Sequence, residues 1–363
     1  MRTIPASSPT DATRPFDSAV YIGRFQPFHL GHLALLNQAL ALAPHVVVVL
    51  GSAHQAPTPK NPFTWQERAE MIRLALPEDE RSRIDFLPVR DHYDEARWLR
   101  AVRHGVEGVV SRLGDPRTHR IALVGHFKDA TSEYLQGFPG WRLHSVDRVA
   151  AADGTALRDA YFACAHDDLD ATLAALVGQA PSSTLGFLRA WSRLPRFDEL
   201  AAEWRMLKAY QASWAVAPYA PTFVTVDSIV QCAGHVLLVR RGQAPGKGLY
   251  AVPGGFIEAR ETAYQSALRE LREETRLQLL DTSMRQCLRA TAVFDHPDRS
   301  QRGRTITHAH HFDLGERELP EVVAGDDAAA AQWVPIGDLA AMEDRFLDDH
   351  FHMLDHFLGL TPA

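Results

Sequence analysis

The run from Ser18 to His32, Ser-Ala-Val-Tyr-Ile-Gly-Arg-Phe-Gln-Pro-Phe-His-Leu-Gly-His, limits what this chain can fold into more tightly than any other stretch. Ala19 to Ile22 is short, apolar and β-prone, and Gly23 and Pro27 punctuate it. Apolar residues then take helical spacing from Leu33 to Leu42, and Val46 to Leu50 reads as a second strand. Strand, turn, helix and strand in that order predict a parallel βαβ unit. In such units the ligand lies beyond the carboxyl ends of the strands, where helix N-terminal N–H groups favour phosphate. Gly31 removes a side chain where a phosphate comes close to the backbone. His29 and His32, three apart at the helix entrance, can face the same oxygens. The chemistry implied is phosphoryl chemistry.

A chain of 363 residues exceeds what one core usually serves, so two domains are expected. Its formal charge of −7 argues against a nucleic-acid or anionic-membrane binder, because those carry a basic face. Any anionic ligand must therefore be held locally. Cys164, Cys232 and Cys287 are odd in number and far apart, which suits reduced thiols and a cytoplasmic protein. Residues 1–17 are polar and read as a flexible arm, and no window approaches the roughly 20 apolar residues of a membrane helix.

Further along, Gly51 to Pro62 is a Pro- and Gly-rich loop, containing Lys60, that feeds a helix capped by Thr64 with Glu67 three residues on. Phe86 to Val89 is a short strand with Asp91 and Trp98 beyond its carboxyl end. A flat indole there can stack on a cationic ring. Arg120 to Val124 is another buried-strand pattern, followed by Gly125 and Lys128. Thr155 reads as the cap of a helix that carries Arg158 one turn in, aiming a guanidinium at whatever the helix N-terminus holds.

Together these residues resemble the His-x-Gly-His nucleotidylyltransferases, in the Gly-Arg-x-Gln-Pro-x-His-x-Gly-His form of the archaeal-type nicotinamide mononucleotide (NMN) adenylyltransferases. The resemblance implies a Rossmann-like domain that joins NMN and ATP into NAD with Mg²⁺. It gives Arg24, Lys60 and Arg158 to the triphosphate, and His29 and His32 to the α-phosphate. It also implies a stacking role for Trp98 on the nicotinamide, and substrate contacts from Gly23, Asp91, Gly125, Lys128 and Thr155. One departure is Asp153 where the family's second motif has serine.

The second half contains Gly254-Gly255-Phe-Ile-Glu258, Glu261, and Arg269-Glu270-Leu-Arg-Glu273-Glu274. Glu270, Glu273 and Glu274 fall at i, i+3 and i+4, so their carboxylates gather on one side of a helix and repel one another unless a cation sits between them. Hard oxygen ligands suit Mg²⁺ or Mn²⁺ bridging a substrate's phosphates. The register from Gly255 to Glu274 resembles the Nudix box, with Arg276 where the box has its final glycine. The resemblance implies metal binding by Glu270, Glu273 and Glu274 and orientation of a carboxylate by Arg269. Arg302 and Arg304, in a polar loop, could meet a diphosphate or terminal ribose. His308, His310, His311, His350, His352 and His356 read better as ordinary polar residues than as a metal site.

The expectation is an α/β chain of four parts: the arm 1–17, an adenylyltransferase domain 18–184, a helical connector 185–217, and an α/β/α Nudix domain 218–363. As a resemblance to bifunctional NMN adenylyltransferase/Nudix hydrolases, it implies ATP, NMN, NAD and ADP-ribose as ligands, with neither nucleic acid nor membrane, and leaves a homo-oligomer open. The rival readings are a Nudix domain acting on another nucleoside diphosphate derivative, and one serving only as a metabolite sensor.

Overall fold

A computed structural model describes residues 14–126, 130–146, 152–325 and 328–361. The chain forms two compact units, Met1–Ala53 with Phe63–Leu194, and His54–Pro62 with Pro195–Ala363.

The first unit runs β1 (Ser18–Gly23), α1 (Leu30–Leu42), β2 (His45–Leu50), α2 (Trp65–Leu74), α3 (Glu78–Arg81), β3 (Ile84–Pro88), α4 (Glu95–Val110), β4 (Ile121–Gly125), β5 (Arg142–Ser145), α5 (Gly154–Ala163), α6 (Leu169–Ala175) and α7 (Ser182–Trp191). All five strands are parallel, in the order β3-β2-β1-β4-β5. Helices cover both faces of such a sheet, which is why β1, β2 and β4 are continuous apolar runs. Val20, Val47, Val49 and Leu123 pack with Val102, Val106 and Val110 of α4. The strand order reverses between β1 and β4, and the ends of those strands define the ligand crevice. Thr64 and Glu67 form the expected capping box of α2. The cap of α5 differs from expectation: it is Asp153, whose carboxylate accepts the Thr155 and Ala156 N–H groups, so the substituted motif position supplies the cap itself.

The stretch expected as a connector is two helices that part company. Helix α7 belongs to the first unit, where Tyr161 donates to the Leu188 carbonyl and the Trp191 indole N–H donates to Glu67. Helix α8 (Pro195–Ser213) belongs to the second.

The second unit continues with β6 (Thr222–Cys232), β7 (His235–Arg241), β8 (Tyr250–Ala251), β9 (Gly254–Phe256), α9 (Ala263–Thr275), α10 (Asp281–Cys287), β10 (Leu288–Phe294), β11 (Arg304–Asp313), β12 (Ala328–Pro335) and α11 (His350–Leu358). The main sheet order is β10-β11-β6-β7-β12, with β8 on β7 and β9 on β6. Side chains of a strand alternate between faces. Val236 and Leu238 accordingly pack with Phe351 and Leu354 of α11, while Leu237 packs with Leu268 and Leu271 of α9, giving α/β/α layers. The β6–β7 hairpin turns through Ala233 and Gly234, both left-handed, as the right-handed twist of the strands requires.

No helix among the described residues is long and apolar enough to cross a membrane.

Candidate active sites

At the β1–α1 junction the chain bends sharply. Phe25 takes a φ of +54°, laying its ring over Gly23, where a Cβ would come within 2.8 Å of it. Gln26 then pins the turn by exchanging hydrogen bonds with the Phe63 backbone, at 2.8 and 3.0 Å. His29 is the N-cap of α1. Its Nδ1 accepts the His32 N–H and His32 Nδ1 accepts the His29 N–H, both at 3.3 Å, while the two rings stack with centroids 3.5 Å apart. An imidazole that accepts at Nδ1 carries its proton on Nε2, so this network assigns each ring an Nε2–H donor. Burial, reinforced by the neighbouring His29, holds His32 well below the usual imidazole range, so it is a neutral donor. A Cβ on Gly31 would meet the His29 ring at 3.1 Å, so the missing side chain also makes room for that imidazole.

Three guanidinium groups frame this junction. Arg24 is exposed. Arg158 donates to the Gln26 carbonyl and, at 3.1 Å, to Thr155 Oγ1. Burial and then the positive charge of nearby Arg24 pull its pKa down to about 10. Arg68 was not legible as a site residue. Fully buried, it donates to the carbonyls of Arg24, Gly51, Ser52 and Thr64, tying the ends of β1 and β2 to α2. Its only sequence signal is a place in the first turns of a capped helix, which ordinarily faces solvent.

Other expected residues are distributed unevenly. Asp91 receives the Ser52 N–H and hydroxyl beside the end of β2. Trp98, on α4, packs edge-on to Tyr134 and Phe138, with centroids 5.3 and 6.3 Å away. A Cβ on Gly125 would meet Leu135 at 2.8 Å, so this glycine, like Gly23, serves close packing. Thr155 orients Arg158. Lys128 lies outside the described residues. Lys60 sits in the segment that clusters with the second unit, its ammonium 3.1 Å from Asp298 and its N–H donating to Gln301.

In the second unit, α9 starts at a capping box of Thr262 and Gln265. Arg269 organises its carboxylates, donating to Glu261 at 3.0 Å, Glu270 at 2.8 Å, Glu273 at 2.9 Å and the Phe256 carbonyl at 3.1 Å. The glycines of β9 leave room for what lies beside them, the backbone at Gly254 and the Glu270 side chain at Gly255. A Cβ on Gly254 would fall 2.3 Å from the Val226 carbonyl, and one on Gly255 would fall 2.4 Å from the Glu270 carboxylate. Glu274 accepts the Gly254 N–H at 3.1 Å. Burial, with Glu270 and Asp227 adding negative charge nearby, pushes Glu274 up to about 8. Among the described residues no three His, Cys, Asp or Glu side chains already converge as a closed metal cluster, and Glu273 points to Arg269 on the half-exposed side. The donor chemistry nevertheless fits a hard divalent cation: half-buried carboxylates repel each other beside a backbone with no Cβ in the way. Arg276 adopts the left-handed conformation, φ +53°, that a glycine would adopt without strain, and Gly325 packs against it and the Glu273 carbonyl.

Arg302 and Arg304 are both in place on the loop before and at the start of β11. Arg302 lies over the Phe256 ring at 5.8 Å, whereas Arg304 donates to the Asp295 carbonyl. The histidines find separate partners. His310 engages the His308 carbonyl, His311 engages Gln231, and His350 Nδ1 accepts the Val252 N–H.

A histidine pair and converging guanidiniums at a parallel-sheet switch point define a nucleotidylyltransferase, and the glycine-flanked carboxylate helix of the other unit defines a Nudix domain. Family models match accordingly: cytidylyltransferase-like at residues 20–110 and NUDIX domain at residues 221–357. The nicotinamide/nicotinic acid mononucleotide adenylyltransferase of Acinetobacter baylyi is 36% identical over 40% of this chain and 76% of its own length. An ADP-ribose pyrophosphatase of Methanocaldococcus jannaschii is 33% identical, again over 40% of this chain and 76% of its own. A crystal structure of a bifunctional NMN adenylyltransferase/ADP ribose pyrophosphatase from Francisella tularensis matches at 34% identity and a TM-score of 0.86, over 95% of this chain and 99% of that one. A second structure from that organism, complexed with AMP and a manganese ion, matches with a TM-score of 0.84. This chain belongs to the bifunctional NMN adenylyltransferase/ADP-ribose pyrophosphatase family.

Proposed function

We propose that the first unit transfers the adenylyl group of ATP to NMN, giving NAD and pyrophosphate, and that the second hydrolyses ADP-ribose to AMP and ribose 5-phosphate. The observation that carries this reading is the presence, in one chain, of the reciprocal His29–His32 pair and of the Gly254-Gly255 turn against Glu270 and Glu274.

In the first unit an oxygen of the NMN phosphate attacks the α-phosphorus, and the bond to the bridging oxygen of pyrophosphate breaks. The Nε2–H groups of His29 and His32 donate to the α-phosphate as its charge redistributes, and neutral donors do so without costing a buried charge. Arg24 and Arg158 take the β- and γ-phosphates, with Thr155 setting the Arg158 fork. Asp91 and Trp98 serve the NMN side, and Gly23 and Gly125 serve indirectly by letting Phe25 and Leu135 close the floor of the site. Mg²⁺ bound with ATP would supply further charge neutralisation. Catalysis is positioning and electrostatics, with no covalent enzyme intermediate.

In the second unit Glu270, Glu273 and Glu274 would hold Mg²⁺ or Mn²⁺, which supplies Lewis acidity for the attacking water and the diphosphate. Arg269 aligns the carboxylates, and Arg302 and Arg304 face the substrate. Free Cys164, Cys232 and Cys287 suit a reducing cytoplasm. Assaying the purified chain with NMN plus ATP, and separately with ADP-ribose and a panel of dinucleoside and ADP-sugar diphosphates, in Mg²⁺ and in Mn²⁺, tests both halves. Tight binding of ADP-ribose without hydrolysis would replace the hydrolase reading with a sensor.

A further inference from the structure

The loop between β10 and β11 is held from inside by a charged side chain. Of the described residues 295–304, Arg299 alone is buried. Its guanidinium makes two parallel bonds to Asp349 at the entrance of α11, Nε to Oδ2 and Nη2 to Oδ1, both at 2.9 Å. Asp349 is itself 1% exposed, and Nη2 also lies 3.9 Å from Asp227 Oδ2 and from Met353 Sδ. Asp227 stands opposite Gly254 in the β6–β9 pairing, so the guanidinium is fixed relative to that turn as well. The next loop residue, Ser300, hydrogen-bonds to Asp348, which takes a left-handed φ of +42°. Two consecutive loop residues are thus tied to two consecutive residues at the start of α11. Just beyond them, Arg302 reaches over the Phe256 ring at 5.8 Å, beside the Gly255 backbone against which Glu270 packs.

A buried ion pair is a poor way to stabilise a domain: desolvating two charges offsets most of their attraction, and an apolar pair of similar volume often does as well. What this pair adds is direction. A planar fork bonded at two points fixes its own plane and angle, whereas an apolar side chain would let the loop slide. We propose that Arg299 and Asp349 are positioning residues for hydrolysis, holding the loop so that the Arg302 guanidinium faces the anionic substrate beside the α9 carboxylates. The inference rests on the reading of this unit as an ADP-ribose pyrophosphatase whose substrate meets Arg302, and adds what keeps that arginine in place. An arginine already ordered on a fixed loop loses less conformational freedom when substrate binds, so the anchor acts on affinity.

The test replaces the pair by an apolar one, Arg299→Met with Asp349→Leu, which removes both charges together. The KM for ADP-ribose in Mg²⁺ should rise about 10- to 100-fold, with kcat within about twofold of the parent. Arg302→Ala should raise KM at least as much, and adding the apolar pair to it should change nothing further, because the anchor acts only through Arg302. Multiplied effects in the combined variant, a parental KM in either variant alone, or a fall in kcat at constant KM would each overturn the proposal. Arg299→Lys keeps the charge without the fork and serves where the apolar pair fails to fold; it should raise KM too, and a parental KM there would refute the need for a fork. Amide hydrogen exchange reads the anchor without substrate: residues 295–303 should exchange faster in the apolar pair while α9 and β6 keep parental rates. Should the parent hydrolyse no ADP-ribose, the pyrophosphatase reading fails by itself and exchange decides the anchor alone. Acceleration confined to the loop upholds it; acceleration throughout the unit, or none, refutes it.

Discussion

His29 and His32 cap each other: each ring accepts the other's backbone N–H at 3.3 Å while the rings stack at 3.5 Å. The pair thus satisfies two helix N-terminal donors that would otherwise need water, and fixes both tautomers at once. His32→Ala should lower NAD synthesis by on the order of a hundredfold or more while ADP-ribose hydrolysis persists. His32→Asn, able to accept the same N–H, should preserve the helix start but not the rate. Full synthesis in either variant would reject the role.

Arg68 supports the same site from behind. Arg68→Met keeps length and apolar bulk but strands the buried carbonyls of Gly51 and Ser52 and the half-buried one of Arg24. Leaving such acceptors unpaired costs about 1–3 kcal/mol each before relaxation, so the melting temperature should drop by several degrees. Synthesis should fall through a raised KM for ATP, because the Arg24 backbone is no longer held. A variant with unchanged stability and KM would show that water replaces the guanidinium.

Trp98 separates stacking from packing. If it serves NMN, Trp98→Ala raises the KM for NMN more than that for ATP, because only the pyridinium loses a partner. Its edge-on contacts with Tyr134 and Phe138 predict a stability loss as well. Equal changes in the two KM values would assign Trp98 to the core alone.

For the metal helix, Glu273→Gln and Glu274→Gln keep shape and remove one charge each. Hydrolysis of ADP-ribose should fall at least tenfold to a hundredfold in each, and NAD synthesis should stay near normal. Desolvation raises the pKa of Glu274, which accepts the Gly254 N–H, to about 8, so its variant should also be the more thermostable without metal. Unchanged turnover in both would remove these carboxylates from the site.

What could be read beforehand depended on range. The βαβ start, the His29–His32 spacing and the box from Gly255 to Glu274 are local patterns, and the left-handed turn forced on Arg276 follows from a single missing glycine. Residues whose partners lie far along the chain could not be read this way. Lys60 meets Asp298, Arg68 reaches back to Arg24, and the packing role of Gly125 depends on Leu135. The cap of α5 could be misread because Asp and Thr are both good caps, and only backbone geometry chose Asp153 over Thr155.

Asp227 provides the pH test. It is 5% exposed on β6, accepts the Thr307 hydroxyl, and lies 3.9 Å from Arg299, which is itself paired with Asp349 at 2.9 Å. Burial raises its pKa from 3.8 to about 6, with Arg299 only partly offsetting it. The native protein therefore binds this proton more tightly than the unfolded chain does. The associated stability is fully present below about pH 4 and is lost as pH rises through 6. A shift of that size corresponds to about 2 to 3 kcal/mol across the window. Asp227→Asn mimics the protonated form, so its stability should match the parent's near pH 4 and exceed it above pH 6, giving a flatter profile between. Urea unfolding of the second unit at pH 4.5 and pH 7 reads the difference directly. Parallel profiles for the two proteins would mean that the carboxylate is ionised in the native state throughout, with Arg299 a stronger partner than its 3.9 Å separation implies.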